Sequence, residues 1–288
     1  MVYPKIKTLK WNPGLEGMAR LVPDVLFASP AGVELKMQIL KPWSVEIPEA
    51  ENPARPLIVF LQGSGFTFPD VGYELPQLAE YAKLGYVVAT ITHRSFRDGY
   101  PAPAYLEDAK TAIRFLRKNA GEYGIDPDRV CFWGTSSGGN TALLVAMTGD
   151  DPDYKTGEYP EYSDSVSIAI DCFGPADLAE LLVKNPEGVE HFKGFTEGDL
   201  YENIALLKRM SPLYIVEKNK KYPPMLLIHG DADTLVPYGQ SEEMYKALGE
   251  NGNDVEMIRV ENAPHEASFW SRELHAEIMG FIAKTFAK

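Results

Sequence analysis

Residues 57–61, 86–92, 130–133, 166–172 and 225–229 are short, nearly unbroken apolar runs. A strand reads this way only when both faces of its sheet are covered. Between these runs lie helical patterns near 75–84, 104–119, 139–147, 240–248 and 268–284. In the second of them, Leu106, Ala109, Ile113 and Leu116 share one face. Strands alternating with helices demand right-handed crossovers, and so predict an α/β chain with a mostly parallel sheet and helices on both faces. An earlier segment differs: Val33, Leu35, Met37 and Ile39 alternate with Glu34, Lys36 and Gln38. That pattern predicts a half-buried antiparallel strand near the sheet edge. Residues 255–260 read as a further strand ahead of the last helix.

Two stretches interrupt the rhythm. Residues 150–164 carry six carboxylates and one lysine, and 183–203 mix charge with Phe192, Phe195 and Tyr201. Both are read as following sheet strands and have no strand signal of their own, so they are expected to be surface loops or cap-like insertions over a pocket. With no repeat, linker or low-complexity tract, residues 1–288 are expected to form a single domain.

The formal charge of −13 disfavours binding to nucleic acid or to an anionic membrane surface. No apolar run reaches the ~18 residues a membrane span needs. The first eleven residues have lysines without an apolar core behind them, so a cytoplasmic location is expected. Cys131 and Cys172 are too few for a disulfide framework, and both fall in apolar runs, as core thiols do. No Cys/His spacing suits zinc.

The chemistry concentrates in Gly134-Thr135-Ser136-Ser137-Gly138, a G-x-S-x-G directly after the strand at 130–133 and opening a helix. Strand, sharp turn and helix are the setting of a nucleophile elbow, which lifts a serine hydroxyl clear of the sheet. A serine at neutral pH needs a base and a group to orient that base. In the order serine, acid, histidine, two histidines qualify, His265 and His275. His275 lies inside the last helical pattern. His265 sits in the loop after strand 255–260, at the carboxyl edge of the sheet, and is the expected base. The strand at 225–229 runs into Gly230-Asp231-Ala232-Asp233-Thr234-Leu235-Val236-Pro237. The D-x-x-V-P spacing favours Asp233 as the acid, with Asp231 shaping the turn. Asp171 and Asp177, after the preceding strand, are the remaining acids. The loop Gln62-Gly63-Ser64-Gly65-Phe66 follows strand 57–61, where oxyanion donors arise. Backbone N–H groups of Ser64, Gly65 and Ser137 are the expected donors, with Ser137 acting through its amide and not its side chain.

Taken with Tyr123–Val130 (YGIDPDRV), Ser211-Pro212 and Ala263-Pro264-His265, these segments resemble the α/β-hydrolase superfamily. More narrowly, the chain is similar to bacterial acetyl/feruloyl esterase-like enzymes, neighbours of the hormone-sensitive-lipase-like esterases and prolyl-oligopeptidase-type hydrolases. The resemblance spans roughly residues 30 to 285. It departs at Gln62 and Ser64, where the H-G-G-G pattern has histidine and glycine; backbone donors need neither side chain. It implies an α/β-hydrolase fold and cofactor-free serine hydrolysis of a small ester or an acylated oligosaccharide, through Ser136, His265 and Asp233. Acetyl or hydroxycinnamoyl groups on plant carbohydrate are the substrates it implies, and a homo-oligomer is compatible with it. A peptidase of the prolyl-oligopeptidase type is disfavoured, because the ~55 residues before the strand at 57 leave no room for a gating propeller. A non-catalytic binding protein on the same fold is disfavoured because all three triad members are present in order.

Overall fold

A computed structural model of the chain describes residues 6–12, 15–43, 53–154, 157–183 and 186–287, with backbone alone at 186–188. Lys155, Thr156, Lys184 and Asn185 of the two loop stretches, and residues 1–5 of the N-terminal reading, lie outside the described residues.

In chain order the strands are β1 (Ala19–Ala28), β2 (Leu35–Pro42), β3 (Arg55–Leu61), β4 (Val87–Thr90), β5 (Ile125–Thr135), β6 (Ile168–Cys172), β7 (Met225–Gly230) and β8 (Val255–Val260). They form one sheet ordered β1-β2-β4-β3-β5-β6-β7-β8. β1, β2 and β4 pair antiparallel, and every pair from β4 through β8 is parallel. The helices are α1 (Leu75–Lys83), α2 (Ala104–Lys118), α3 (Ala120–Tyr123), α4 (Ser137–Met147), α5 (Leu178–Val183), α6 (Pro186–His191), α7 (Ile204–Arg209), α8 (Gly239–Glu250) and α9 (Arg272–Phe286).

The alternation within each strand divides the core in two. Leu57, Val59, Leu61, Val130 and Phe132 pack with Leu106, Ile113, Leu144 and Met244 of α2, α4 and α8. Ile58, Phe60, Cys131 and Trp133 face the other way, onto Leu78 and Tyr81 of α1 and Ile278 and Ile282 of α9. Continuous apolar strands are the direct result, since neither face of the sheet is left to water.

β2 lies next to the sheet edge, as expected, and the edge itself is a strand not read in the sequence. β2 is antiparallel, as its alternation indicates, but β1 covers its outer side. β1 contains Pro23, which cannot donate to a ladder, and Asp24 at φ +53°. The register shifts between Val22 and Val25, and Gln38 repairs the break. Its Oε1 accepts from the Asp24 amide (3.1 Å) and its Nε2 donates to Asp24 Oδ1 (2.9 Å). A bulged edge strand with proline has no clean period-two pattern to find.

The acidic stretch is tied down on the flank of the sheet. Asp164, fully buried, accepts from Lys110 Nζ (2.9 Å) and Arg114 Nη1 (2.7 Å), both on α2. Cys131 and Cys172 are buried free thiols. Cys131 pairs with Ile168, so Cys172 lies four residues further along the neighbouring strand, ~13 Å away and beyond disulfide reach. No described helix is long and apolar enough to cross a membrane.

Candidate active site

β5 delivers its last residues, Gly134 and Thr135, to the carboxyl edge of the sheet, and α4 leaves from Ser137. Ser136 lies between them at φ +51°, ψ −121°, a backbone conformation few side-chain-bearing residues adopt. The turn is tight enough to dictate its neighbours. A Cβ at position 134 would overlap the Gly138 carbonyl, and one at 138 would overlap the Leu61 carbonyl. Both glycines of the motif are therefore set by close backbone approach.

The structure brings Ser136, His265 and Asp233 together. Ser136 Oγ lies 3.0 Å from His265 Nε2, and His265 Nδ1 lies 2.6 Å from Asp233 Oδ2. The partners assign the protons: Nδ1–H donates to the carboxylate, which leaves Nε2 to accept from the serine hydroxyl. Asp231, the other aspartate of the turn, faces elsewhere. Its Oδ1 accepts from the Asn262 amide at 2.6 Å and ties β7 to the loop that carries His265. Asp177 accepts from Tyr214 Oη and the Glu180 amide, and Asp171 from the Gly174 amide.

Asp233 is held on all sides. Its Oδ1 accepts the Leu235 and Val236 amides at 2.8 and 2.9 Å. Its Oδ2 receives His229 Nε2 at 3.2 Å as well as His265. His229 itself is buried, with Nε2 also 3.0 Å from the Val236 carbonyl and Nδ1 2.7 Å from Ser241 Oγ. Two acceptors at Nε2 put its proton there. Burial alone would raise the Asp233 carboxyl, but hydrogen bonds from His229, His265 and the Val236 amide outweigh it. They hold the group well below the usual carboxylate range. His229 was legible only as the end of a strand; its position at the carboxyl edge, four residues before Asp233, was the available signal.

The three amides expected as oxyanion donors differ in their hydrogen bonding. The Ser64 amide, one of the three expected, donates to Ser137 Oγ at 2.9 Å, so its single hydrogen is already engaged. The preceding Gly63 amide donates to Thr135 Oγ1 at 2.8 Å. That leaves Gly65, whose amide has no hydrogen-bond partner among the described residues. It also leaves Ser137, whose amide opens α4 where no intrahelical carbonyl can reach it.

The family model of BD-FAE matches residues 44–248, well over half of the chain. The chain belongs to the BD-FAE family. Among curated proteins, this BD-FAE member is 28% identical to esterase LipQ of Mycobacterium tuberculosis over 220 residues, 74% of this chain and 51% of LipQ. It is 29% identical to esterase LipC of the same organism over 202 residues, 67% of this chain and 48% of LipC. The chain thus spans about half the length of these curated relatives. Among solved structures, esterase Est2 of the planctomycete Thermogutta terrifontis superposes with a TM-score of 0.73 at 26% identity, covering 94% of this chain and 93% of Est2. A truncated carbohydrate esterase from gut microbiota superposes with a TM-score of 0.80 at 24% identity, over 96% of this chain and 99% of that one, a likeness of fold. The architecture of this BD-FAE chain is the α/β-hydrolase fold.

A cleft of about 430 Å³ opens above Ser136. One wall is the 64–66 loop; the other comes from Leu181 and Leu182 of α5, His191 and Phe192, and Leu235 and Val236 after β7. Among the described residues of the two loop stretches, His191 and Phe192 of 183–203 line this cleft. Its other aromatics serve elsewhere. Phe195 is fully buried against Phe66 (4.9 Å between ring centroids), and Tyr201 is exposed. In the acidic stretch, Tyr154 lies under Arg209 and Tyr159 under Lys118.

Behind His265 lies a pair of carboxyls missed in the sequence. Glu266, the residue after the histidine, accepts from Thr135 Oγ1 at 3.2 Å, and burial raises its carboxyl above the usual value. Glu74, buried ahead of α1, is pushed up to about 7, first by burial and then by the charge of Glu266. A carboxyl whose pKa rises on folding binds its proton more tightly in the folded chain. Its contribution is complete below the unfolded value of about 4.5 and is lost as pH rises through 7. Asp171, fully buried and also raised to about 7 by burial, acts in the same direction. Denaturant unfolding at pH 5 and pH 7.5 should therefore show stability falling with pH. The fall should be smaller by roughly 2–3 kcal/mol in Glu74→Gln. Parallel profiles for wild type and variant would refute this assignment.

Proposed function

We propose that this BD-FAE member is a serine carboxylesterase whose nucleophile, base and orienting acid are Ser136, His265 and Asp233. The observation that carries the reading is the continuous chain of hydrogen bonds, 3.0 Å and 2.6 Å, ending on a strained serine at the floor of an apolar cleft. In this reading Ser136 Oγ attacks the ester carbonyl carbon while His265 Nε2 takes its proton. Asp233 holds the imidazole in the required tautomer and stabilises its cation. The amides of Gly65 and Ser137 receive the developing oxyanion. Collapse expels the alcohol, which takes the proton back from His265, and leaves an acyl ester on Ser136. A water molecule, deprotonated by the same nitrogen, releases the acid. The names of the relatives support ester chemistry: besides LipQ and LipC they include an isoprenylcysteine α-carbonyl methylesterase of Arabidopsis thaliana. Est2 has also been solved phosphonylated by cyclosarin. The direct test is labelling with a fluorophosphonate probe, followed by peptide mapping. One adduct on Ser136, abolished in Ser136→Ala, is expected; no adduct, or one elsewhere, would refute the reading.

We further propose a short acyl group, acetyl first, on a neutral carbohydrate alcohol. Est2 with butyrate or propionate bound superposes on this chain with TM-scores of 0.74 and 0.72 at 25% identity, which supports the short acyl group. A bifunctional GH43-CE protein of Bacteroides eggerthii, 26% identical but matched over 38% of its own length, supports the carbohydrate side. Each accommodated methylene contributes ~1–3 kcal/mol at most, so chain-length preference should be graded. Values of kcat/KM are expected to decline from acetyl or butyryl through octanoyl to palmitoyl esters of one alcohol, with acetate released from acetylated xylan fragments. An optimum at octanoyl or longer without release from carbohydrate would overturn this choice of substrate.

A further inference from the structure

β3 ends at Leu61, and the chain then passes close over the nucleophile. A Cβ on Gly63 would overlap Ser136 Cβ and lie 2.8 Å from the Thr135 carbonyl. Having left the sheet, this loop has no ladder to receive its N–H groups. Two consecutive amides are instead held by the hydroxyls on either side of Ser136: Gly63 by Thr135 Oγ1 (2.8 Å) and Ser64 by Ser137 Oγ (2.9 Å). Thr135 and Ser137 are 1% and 3% exposed, so neither hydroxyl has bulk water as an alternative partner. The Thr135 hydroxyl is oriented in turn, since it donates to Glu266 Oε1 at 3.2 Å and keeps a lone pair for Gly63. Glu266 directly follows His265. On its far side the loop is braced by its own side chains: Thr67 Oγ1 donates to the Ser64 carbonyl (2.6 Å), and Gln62 Oε1 accepts the Asp70 amide (2.7 Å).

We propose that Thr135 and Ser137 are positioning residues that lock the oxyanion loop to the nucleophile, so that the Gly65 amide is aimed where the tetrahedral oxyanion forms. The proposal rests on the esterase reading and adds to it two side chains with no assigned role. Its logic is registration. Oxyanion donors act only within about 0.5 Å of the required position, because the charge they stabilise exists only in the transition state. A clamp made by the immediate neighbours of Ser136 keeps donor and nucleophile in one frame even if the rest of the cleft moves. Loss of a clamp hydroxyl should therefore weaken transition-state binding and spare binding of the ground state.

The test uses Thr135→Val and Ser137→Ala, with Thr135→Ser and Ser137→Thr as conservative controls that keep a hydroxyl. With a short aryl ester, kcat is expected to fall roughly 10- to 100-fold in each of the first two, less than loss of a donor itself. KM should stay within about threefold. Affinity for a trifluoromethyl ketone, which forms a tetrahedral adduct, should fall in step with kcat/KM, while affinity for the carboxylate product stays constant. The controls should recover most of kcat. Unchanged kcat, or KM and product affinity moving together with it, would overturn the clamp. A second readout does not depend on turnover: amide hydrogen exchange at Gly63 and Ser64 should be slow in the wild type, and faster by tenfold or more at the partner amide of each variant. Fast exchange in the wild type, or no change in the variants, would also overturn the clamp. If wild-type protein neither hydrolyses esters nor labels at Ser136 while the exchange pattern holds, the esterase reading fails and the loop contacts stand.

Discussion

Replacing Ser136 by alanine is expected to lower kcat for ester hydrolysis by about four to six orders of magnitude with the fold intact. The size of the loss follows from the mechanism. Without the oxygen no acyl-enzyme forms, and water must be activated at a carbonyl positioned for a different attacker, with only the Gly65 and Ser137 amides still assisting. The small structural cost follows from the geometry. Among the described residues Ser136 Oγ bonds to His265, and alanine meets the same positive φ that serine already tolerates. Turnover of a short aryl ester, measured together with the thermal midpoint, checks both halves. Activity within tenfold of wild type would refute Ser136 as nucleophile, and collapse of the midpoint would refute the claim that its hydroxyl is structurally idle.

The two aspartates of the β7 turn should separate by a similar margin. Asp233→Asn places an NH₂ where the structure has only an acceptor. Oriented toward Oδ1, it meets the amides of Leu235 and Val236; oriented toward Oδ2, it meets the N–H of His229 and forces the proton of His265 onto Nε2. In that tautomer His265 cannot accept from Ser136, and kcat should drop by about 10⁴. Asp231→Asn loses only the charge of an acceptor for the Asn262 amide, with Arg259 Nε 3.5 Å away, and should stay within tenfold. Measuring kcat for both variants between pH 6 and 9 decides the matter. Equal losses would leave the acid role shared, and a larger loss at Asp231 would reverse the assignment.

The parts legible in the sequence are those governed by local or periodic constraints. Residues 57–61 and 130–133 are apolar at every position because α2 and α4 cover one face and α1 and α9 the other. Gly134 and Gly138 mark the elbow because any side chain there would collide with backbone. Legibility ends where several segments meet. Pro23 and the bulge at Asp24 erase the alternation of β1, and Gln38 restores the pairing from a neighbouring strand. The Ser64 amide looked available until Ser137 Oγ took it, a contact between residues 73 apart. His229 acquires its role through its contact with Asp233, and Glu74 and Glu266 through burial and the charge of one on the other. Among the described aromatics of residues 183–203, Phe195 packs against Phe66 while Phe192 lines the cleft, a division that composition does not reveal.

The cleft has a further consequence. The wall that carries Ser136 grows out of strand ends and is locked by glycine contacts and hydrogen bonds, whereas Leu181, Leu182 and His191 come from short helices inserted between β6 and β7, and Phe192 from the turn after them. In the proposed esterase, the reacting groups and part of the substrate wall would thus belong to separate pieces of chain. An exchange of residues 178–192 between relatives would change which ester fits while the donors, nucleophile and base keep their places. The insert of the proposed esterase would then be the part of the wall free to vary, while Leu235 and Val236 stay tied to Asp233.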